Sequence, residues 1–247
     1  MGAPSNQVIL AGGAGFLGRH LAHRLATRGW APIVLSRRPP QAPPPPGISI
    51  RGWENLTETL EGAAGVINLA GENIGAKRWT PTRKAMLWSS RIDPARRLAA
   101  ALASCKDRPP VLIQASATGC YGPRPLPPLS EDAPLGTGFL ADLCRAWEAE
   151  ALCAERLGVR VVLPRLGIVL ARDGGALPRM ILPIRAYLGT LLGDGRQGFP
   201  WIHLEDALDL ILRALEDPTW VGPIHATAPD VLDHATFQRT LARHLRR

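Results

Sequence analysis

Three glycines spaced three apart, Gly12, Gly15 and Gly18, lie between the apolar run Val8-Ile9-Leu10 and a helical pattern through Leu21, Leu25 and Ala26. A strand, a tight turn and a helix in this order make a corner able to hold the pyrophosphate of a dinucleotide. Gly12 lets the chain turn, Gly15 lets the backbone approach the phosphates, and Gly18 lets the helix pack on the strand. The helix opens with Phe16 and Leu17. Its first N–H groups lack intrahelical partners and carry a partial positive charge suited to an anion. Gly12, Gly15, Phe16, Leu17 and Gly18 are therefore the expected contacts of this corner.

The next strand, Pro32–Leu35, ends in Ser36-Arg37-Arg38. NAD sites usually carry an acid about 20 residues beyond the glycines, to bond the ribose 2′-hydroxyl. Here a hydroxyl and two guanidiniums follow instead. An arginine can pair bidentately with a 2′-phosphate, which an aspartate would repel. Ser36 and Arg37 thus predict NADP(H) over NAD(H), while Arg38 is equally compatible with a solvated loop.

These residues need a scaffold. Short apolar strands are expected at Val8–Leu10, Pro32–Leu35, Ile48–Arg51, Gly65–Leu69, Val111–Ala115 and Val159–Leu163. Helical patterns at 16–28, 80–104 and 138–157 alternate with them. Such alternation implies an α/β fold with a doubly wound parallel sheet covered on both faces. The rhythm changes after Arg165. Helices over Leu177–Leu188, Glu205–Leu215 and His234–Arg247, with a strand at Pro223–Ala226, suggest a small C-terminal lobe that is expected to be truncated. The expected division is a dinucleotide-binding Rossmann domain over 1–165, then remaining Rossmann elements interleaved with a partial substrate lobe over 166–247. The proline-rich run 39–46 reads as an extended spacer.

Composition narrows the function classes. At 247 residues and 46% apolar content the chain can build one large domain, with or without a satellite. No apolar run reaches the ~18 residues of a membrane helix, and no charged-then-apolar leader opens the chain. Cys105, Cys120, Cys144 and Cys153 lack metal-ligand spacing and read as reduced thiols, so no metal and a cytoplasmic setting are expected. The net charge of +8 is spread over scattered arginines without interleaved aromatics, which argues against nucleic acid.

Several further segments carry a resemblance. They are Asn68-Leu69-Ala70-Gly71-Glu72-Asn73-Ile74, Lys77-Arg78-Trp79, Ser90-Arg91-Ile92, Ser116-Ala117-Thr118-Gly119-Cys120-Tyr121-Gly122, Gly193-Asp194-Gly195-Arg196-Gln197 and Trp201-Ile202-His203-Leu204-Glu205-Asp206. With the glycine corner, they make the chain similar to atypical extended short-chain dehydrogenase/reductases. The likeness is strongest to epimerase-family proteins labelled nucleoside-diphosphate-sugar epimerase or cell-division-inhibitor-like. The resemblance implies that Leu69, Ala70 and Gly71 line the adenosine side of the cofactor, that Arg91 reaches it from the long helix, and that Leu170 lies near the nicotinamide. It also implies a small polar substrate, with a homodimer as one possible assembly. Relatives typically run several tens of residues past the last helix seen here, so the substrate lobe is expected to be incomplete.

The same resemblance exposes a departure. Active members place a tyrosine and, four residues on, a lysine on one helix, with a serine on the preceding strand. The lysine's charge lowers the tyrosine pKa so that the phenol can exchange a proton near neutral pH. Ser116 stands at the serine position, but Leu140 and Cys144 take the other two places. Ser116 and Tyr121 remain the candidate catalytic residues, Tyr121 as a hydrogen-bond donor, because its fourth neighbour is Pro125. Glu72, Lys77 and Arg78 could gather near the nicotinamide or stay solvated. Tyr187 is expected to pack in the second lobe, and His203 to brace it. Two functions follow: an NADP(H)-dependent epimerase-like oxidoreductase, or an NADP(H)-binding sensor with little turnover.

Overall fold

The computed structural model describes residues 5–38, 43–124, 128–189, 191 and 193–246. In chain order the strands are β1 (Gln7–Ala11), β2 (Ala31–Leu35), β3 (Ser49–Arg51), β4 (Gly65–Asn68), β5 (Val111–Gln114), β6 (Ser116–Ala117), β7 (Arg160–Leu166), β8 (Ile168–Ala171), β9 (Gly174–Gly175), β10 (Trp201–His203) and β11 (Gly222–Ala226). The helices are α1 (Phe16–Thr27), α2 (Leu56–Leu60), α3 (Pro81–Ser104), α4 (Phe139–Leu152), α5 (Leu177–Arg185), α6 (Leu204–Glu216) and α7 (His234–His244).

The main sheet runs β3-β2-β1-β4-β5-β7-β11, every pair parallel, with β6 prolonging the β5 path beside β7. From β1 the chain winds outward to β3, then crosses back to β4. The order reverses between β1 and β4, and a doubly wound sheet opens its ligand crevice at the carboxyl ends of such a pair. Ala11 is level with both Leu35 and Asn68, so the strand ends bearing the candidate residues share one edge.

Side-chain alternation explains the layers. Ile9 and Ala11 of β1 face a core made with Leu60, Leu98 and Leu102, whereas Val8 and Leu10 face one made with Leu21, Leu25, Leu208 and Ile211. Strands β4 and β5 are buried along their whole length, as a central parallel sheet requires. On one face Arg24 of α1 pairs with Glu205 and Asp209 of α6. At the start of α3, Pro81 occupies the first turn and the Thr80 hydroxyl accepts from the Arg83 amide at 3.1 Å.

The sequence-based expectations need adjustment at several places. The helix expected over 138–157 is α-helical to Leu152 and continues as a 3-10 turn over Cys153–Leu157. That expected over Leu177–Leu188 ends at Arg185, where Ala186 leaves helical geometry. Strands β8, β9 and β10 form a second, three-stranded sheet that the glycine-rich pattern did not reveal. Tyr187, expected to pack in the second lobe, is 73% exposed with φ 58. Part of the proline-rich run lies outside the described residues, as does Pro125.

A glycine corner and a buried charged cluster: the candidate site

At the end of β1 the corner is built almost entirely of backbone. A Cβ on Gly12, whose φ is +79, would lie 2.6 Å from the Leu69 carbonyl carbon and 2.7 Å from the Ala70 nitrogen. A Cβ on Gly18 would lie 2.3 Å from the Gly12 oxygen, so no other residue lets α1 seat this closely on the turn. Gly15 caps α1 in extended conformation without a side-chain bond, and no acid occupies the first turn. The first amides of α1 are thereby left for an anion. This cradle fits the pyrophosphate of a dinucleotide.

Beside it, Ser36 donates its hydroxyl to the Arg38 carbonyl at 2.6 Å, and the turn holds Arg37 exposed at the carboxyl end of β2. Arg37 makes no hydrogen bond or ion pair among the described residues. The Phe16 ring lies under the β8–β9 hairpin, where a Cβ on Gly174 would come within 2.6 Å of it. Leu170, on β8 opposite Gly175, is 8% exposed. The glycines, Phe16, Leu17, Ser36, Arg37 and the β4 end thus meet at one edge.

The loop after β4 is held from beneath by α3. Arg91 donates to the Glu72 carbonyl at 3.0 Å and to the Leu87 carbonyl at 3.2 Å, and its guanidinium stacks on Trp147 at 5.3 Å. It supports Gly71, where a Cβ would meet its Cζ at 2.9 Å. Burial lowers its pKa. Arg91 is thus neither a surface arginine nor one with its guanidinium free. Glu72 pairs with buried Arg83 at 3.3 Å, while Lys77 and Arg78 are exposed.

Ser116 and Tyr121 belong to a cluster that was not anticipated. In the sheet, Arg165 of β7 has Ser116 of β6 on one side and His225 of β11 on the other. Buried Glu148 of α4 takes two bonds from Arg165, each 3.0 Å, and one from the Ser116 hydroxyl at 2.5 Å. Arg165 also donates to the Tyr121 hydroxyl at 2.7 Å and to the Glu131 carbonyl at 2.8 Å. The Tyr121 oxygen lies 2.6 Å from His225 Nε2, and the His225 amide donates to the Glu131 carboxylate at 2.9 Å.

The electrostatics follow from this packing. Burial works to lower the Arg165 pKa, but bonding to Glu148 outweighs it and the guanidinium stays charged. Burial raises the Tyr121 pKa more than Arg165 lowers it, so the phenol keeps its proton. The expectation of a phenol without a nearby cation is therefore corrected, for Arg165 is in contact. Burial lowers the His225 pKa, and the backbone bond from His225 lowers that of Glu131. Burial pushes the Cys144 thiol up to about 11 and Cys120 up to about 12, which makes both poor nucleophiles.

Sequence reading overlooked Glu148, Arg165, His225 and Glu131. The available signal was an ionisable residue inside an otherwise apolar stretch, as Arg165 is in β7, because a buried charge needs a partner. Tyr121 and His225 also line a cleft of about 220 Å³, together with Phe199, Leu129, Thr118 and Thr227. His203, expected to brace the second lobe, caps α6 by accepting from the Glu205 amide at 3.3 Å. No helix among the described residues is long and apolar enough to cross a membrane, and no group of three metal-ligating side chains occurs among them.

A Rossmann sheet with a glycine corner at its switch point defines a nucleotide-binding α/β protein. Residues 8–224 match the NAD dependent epimerase/dehydratase family, and the chain belongs to that family. It is 38% identical over 231 residues to the Arabidopsis thaliana "Epimerase family protein SDR39U1 homolog, chloroplastic", covering 90% of this chain and 66% of that one. It is 37% identical to "Epimerase family protein YfhF" of Bacillus subtilis, covering 96% of this chain and 78% of that protein. Among solved structures, the human epimerase family protein SDR39U1 (isoform2) with NADPH superposes with a TM-score of 0.86 at 33% identity, covering 98% of this chain and 80% of that one.

Proposed function

We infer that the chain is an NADP(H)-binding, epimerase-like oxidoreductase acting on a small oxygen-bearing substrate. The observation that carries this reading is the backbone cradle of Gly12, Gly15 and Gly18, opposite an exposed Arg37 and with no acid at the end of β2. The human relative crystallised with NADPH supports the same choice. The amides opening α1 would hold the pyrophosphate, and Ser36 and Arg37 the 2′-phosphate. Leu69, Ala70 and Gly71 would wall the adenosine side, Arg91 would fix that wall, and Leu170 would lie by the nicotinamide. Bound NADP(H) supplies or accepts a hydride.

Ser116 and Tyr121 would orient the substrate oxygen. The Ser116 hydroxyl already donates to Glu148, so it is set to accept a bond from a substrate hydroxyl rather than to polarise a carbonyl. Tyr121 keeps its proton and, where His225 Nε2 donates to the phenol oxygen, would serve as a donor to substrate. A binding protein with little turnover is the second reading. It is favoured by Ser116 being only 2% exposed and by Leu140 and Cys144 standing where a tyrosine and lysine are expected.

The test is thermal shift and tryptophan fluorescence with NADPH and NADH in parallel, then NADPH oxidation with a panel of carbonyl compounds. Selective NADPH binding with turnover supports the enzyme. Selective binding without turnover across the panel supports the sensor, and binding of neither nucleotide defeats both.

A further inference from the structure

The cleft lined by Tyr121 and His225 has walls whose chemistry decides what it can hold. Phe199, 6% exposed and stacked on Phe237 at 4.2 Å between ring centres, forms one wall with Leu232. Leu129 lines it as well, as does Val231, which is 46% exposed. The walls are pinned by backbone bonds: Gly198 N–H to the Arg124 carbonyl at 3.0 Å, Phe199 N–H to Leu232 at 2.8 Å, and Ala228 N–H to Trp201. A rigid apolar wall of this kind favours an apolar ligand body.

Most of the polar side chains lining the cleft are uncharged. Thr118 and Thr227 contribute hydroxyls, Gln197 an amide, Tyr121 a phenol, and His225 an imidazole whose pKa burial lowers. Arg124 and Asp230 are the charged residues among those described in the lining. Arg124 donates its guanidinium to the Pro134 carbonyl at 2.8 Å, and Asp230 is an acid. None of the three lysines, Lys77, Lys84 and Lys106, lines the cleft. A diphosphate buried here would meet one engaged cation and a like charge, whereas phosphates are recognised by converging cations and N–H donors. The volume of about 220 Å³ exceeds the ~150 Å³ of an apolar cavity that accepts benzene, and so suits a body of one or two rings.

We propose that this cleft binds a compact, uncharged molecule with an apolar body and a single carbonyl or hydroxyl oxygen, and that it does not bind a nucleoside diphosphate. That such a molecule is the substrate rests on the NADP(H) reading above; that it binds does not. The small polar substrate expected from the family resemblance becomes polar at one end only.

The experiment titrates the full chain with prodan, a neutral naphthyl ketone whose emission moves to the blue in apolar surroundings. It is run with and without NADP+, with UDP-glucose as competitor and with Val231→Trp as the blocked variant. Asp230→Trp, likewise at an exposed position of the lining, replaces it if Val231→Trp does not fold. Saturable blue-shifted emission, weakened at least about tenfold by the blocking tryptophan and undisturbed by excess UDP-glucose, is the result expected. Absence of binding, equal binding in the blocked variant, or displacement by UDP-glucose overturns the proposal. Thermal shift with NADP+ on the same samples separates the two readings. NADP+ stabilisation without prodan binding defeats only the cleft, and prodan binding without NADP+ stabilisation defeats only the cofactor assignment.

Discussion

The glycine corner and the Glu148–Arg165 cluster sit at the same edge of the sheet but are made of different material. The corner consists of backbone drawn from one short segment, with glycines at the points where the chain presses on the end of β4. The cluster consists of side chains from β6 and the turn after it, α4, β7, β11 and the segment around Glu131, brought together by the strand order. One depends on the absence of atoms and the other on charges that must all be present. Disturbing them should therefore have different consequences, binding being lost at the corner and stability at the cluster.

The largest expected effect is at the cluster. Arg165→Leu leaves Glu148 buried without its cation and should cost about 3–5 kcal/mol of stability, read by urea unfolding. Adding Glu148→Leu should restore much of that loss, since a buried pair replaced by apolar residues is often neutral. A single variant as stable as wild type would mean that the pair is solvated. At the corner, Gly18→Ala places a Cβ against the Gly12 carbonyl. It should cost about 1–3 kcal/mol through overpacking and weaken NADPH binding further, whereas Arg165→Leu with Glu148→Leu should leave NADPH affinity within a few-fold.

The smallest effect is a pH slope. The pKa of His225 is depressed on folding, so the unfolded chain binds the extra proton first. Stability from this group is full above the unfolded value of about 6.5 and is lost as pH falls below it, at no more than about 1.4 kcal/mol per pH unit. His234 is shifted in the same direction and shares that window. His225→Gln should flatten the slope of unfolding free energy between about pH 6.5 and 5 without abolishing it. An unchanged slope would assign the whole effect to His234.

The corner was legible because its physics is local. Gly12, Gly15 and Gly18 act within one turn, and the end of β2 lies one helix away, so spacing alone carried Ser36 and Arg37. The sheet was legible for the same reason, since β1, β2, β4 and β5 are apolar runs separated by helical patterns. The cluster was not. Ser116 and Tyr121 could be picked out as candidates, yet their partners Arg165 and His225 come 49 and 104 positions later. No periodicity links such residues; the pairing of β6 and β11 with β7 does. The second sheet was missed for a related reason. Strands β9 and β10 span two and three residues, too short to show alternation, and are held by pairing with β8.

The central claim, that the corner takes NADP(H) through Arg37, is tested most directly by titrating wild type and Arg37→Asp in parallel with NADPH and NADH. Losing charged hydrogen bonds worth about 1.5–3 kcal/mol should weaken NADPH roughly 10- to 100-fold in the variant and leave NADH equal or improved. Equal loss of both nucleotides, or a wild type that does not distinguish them, would contradict the account.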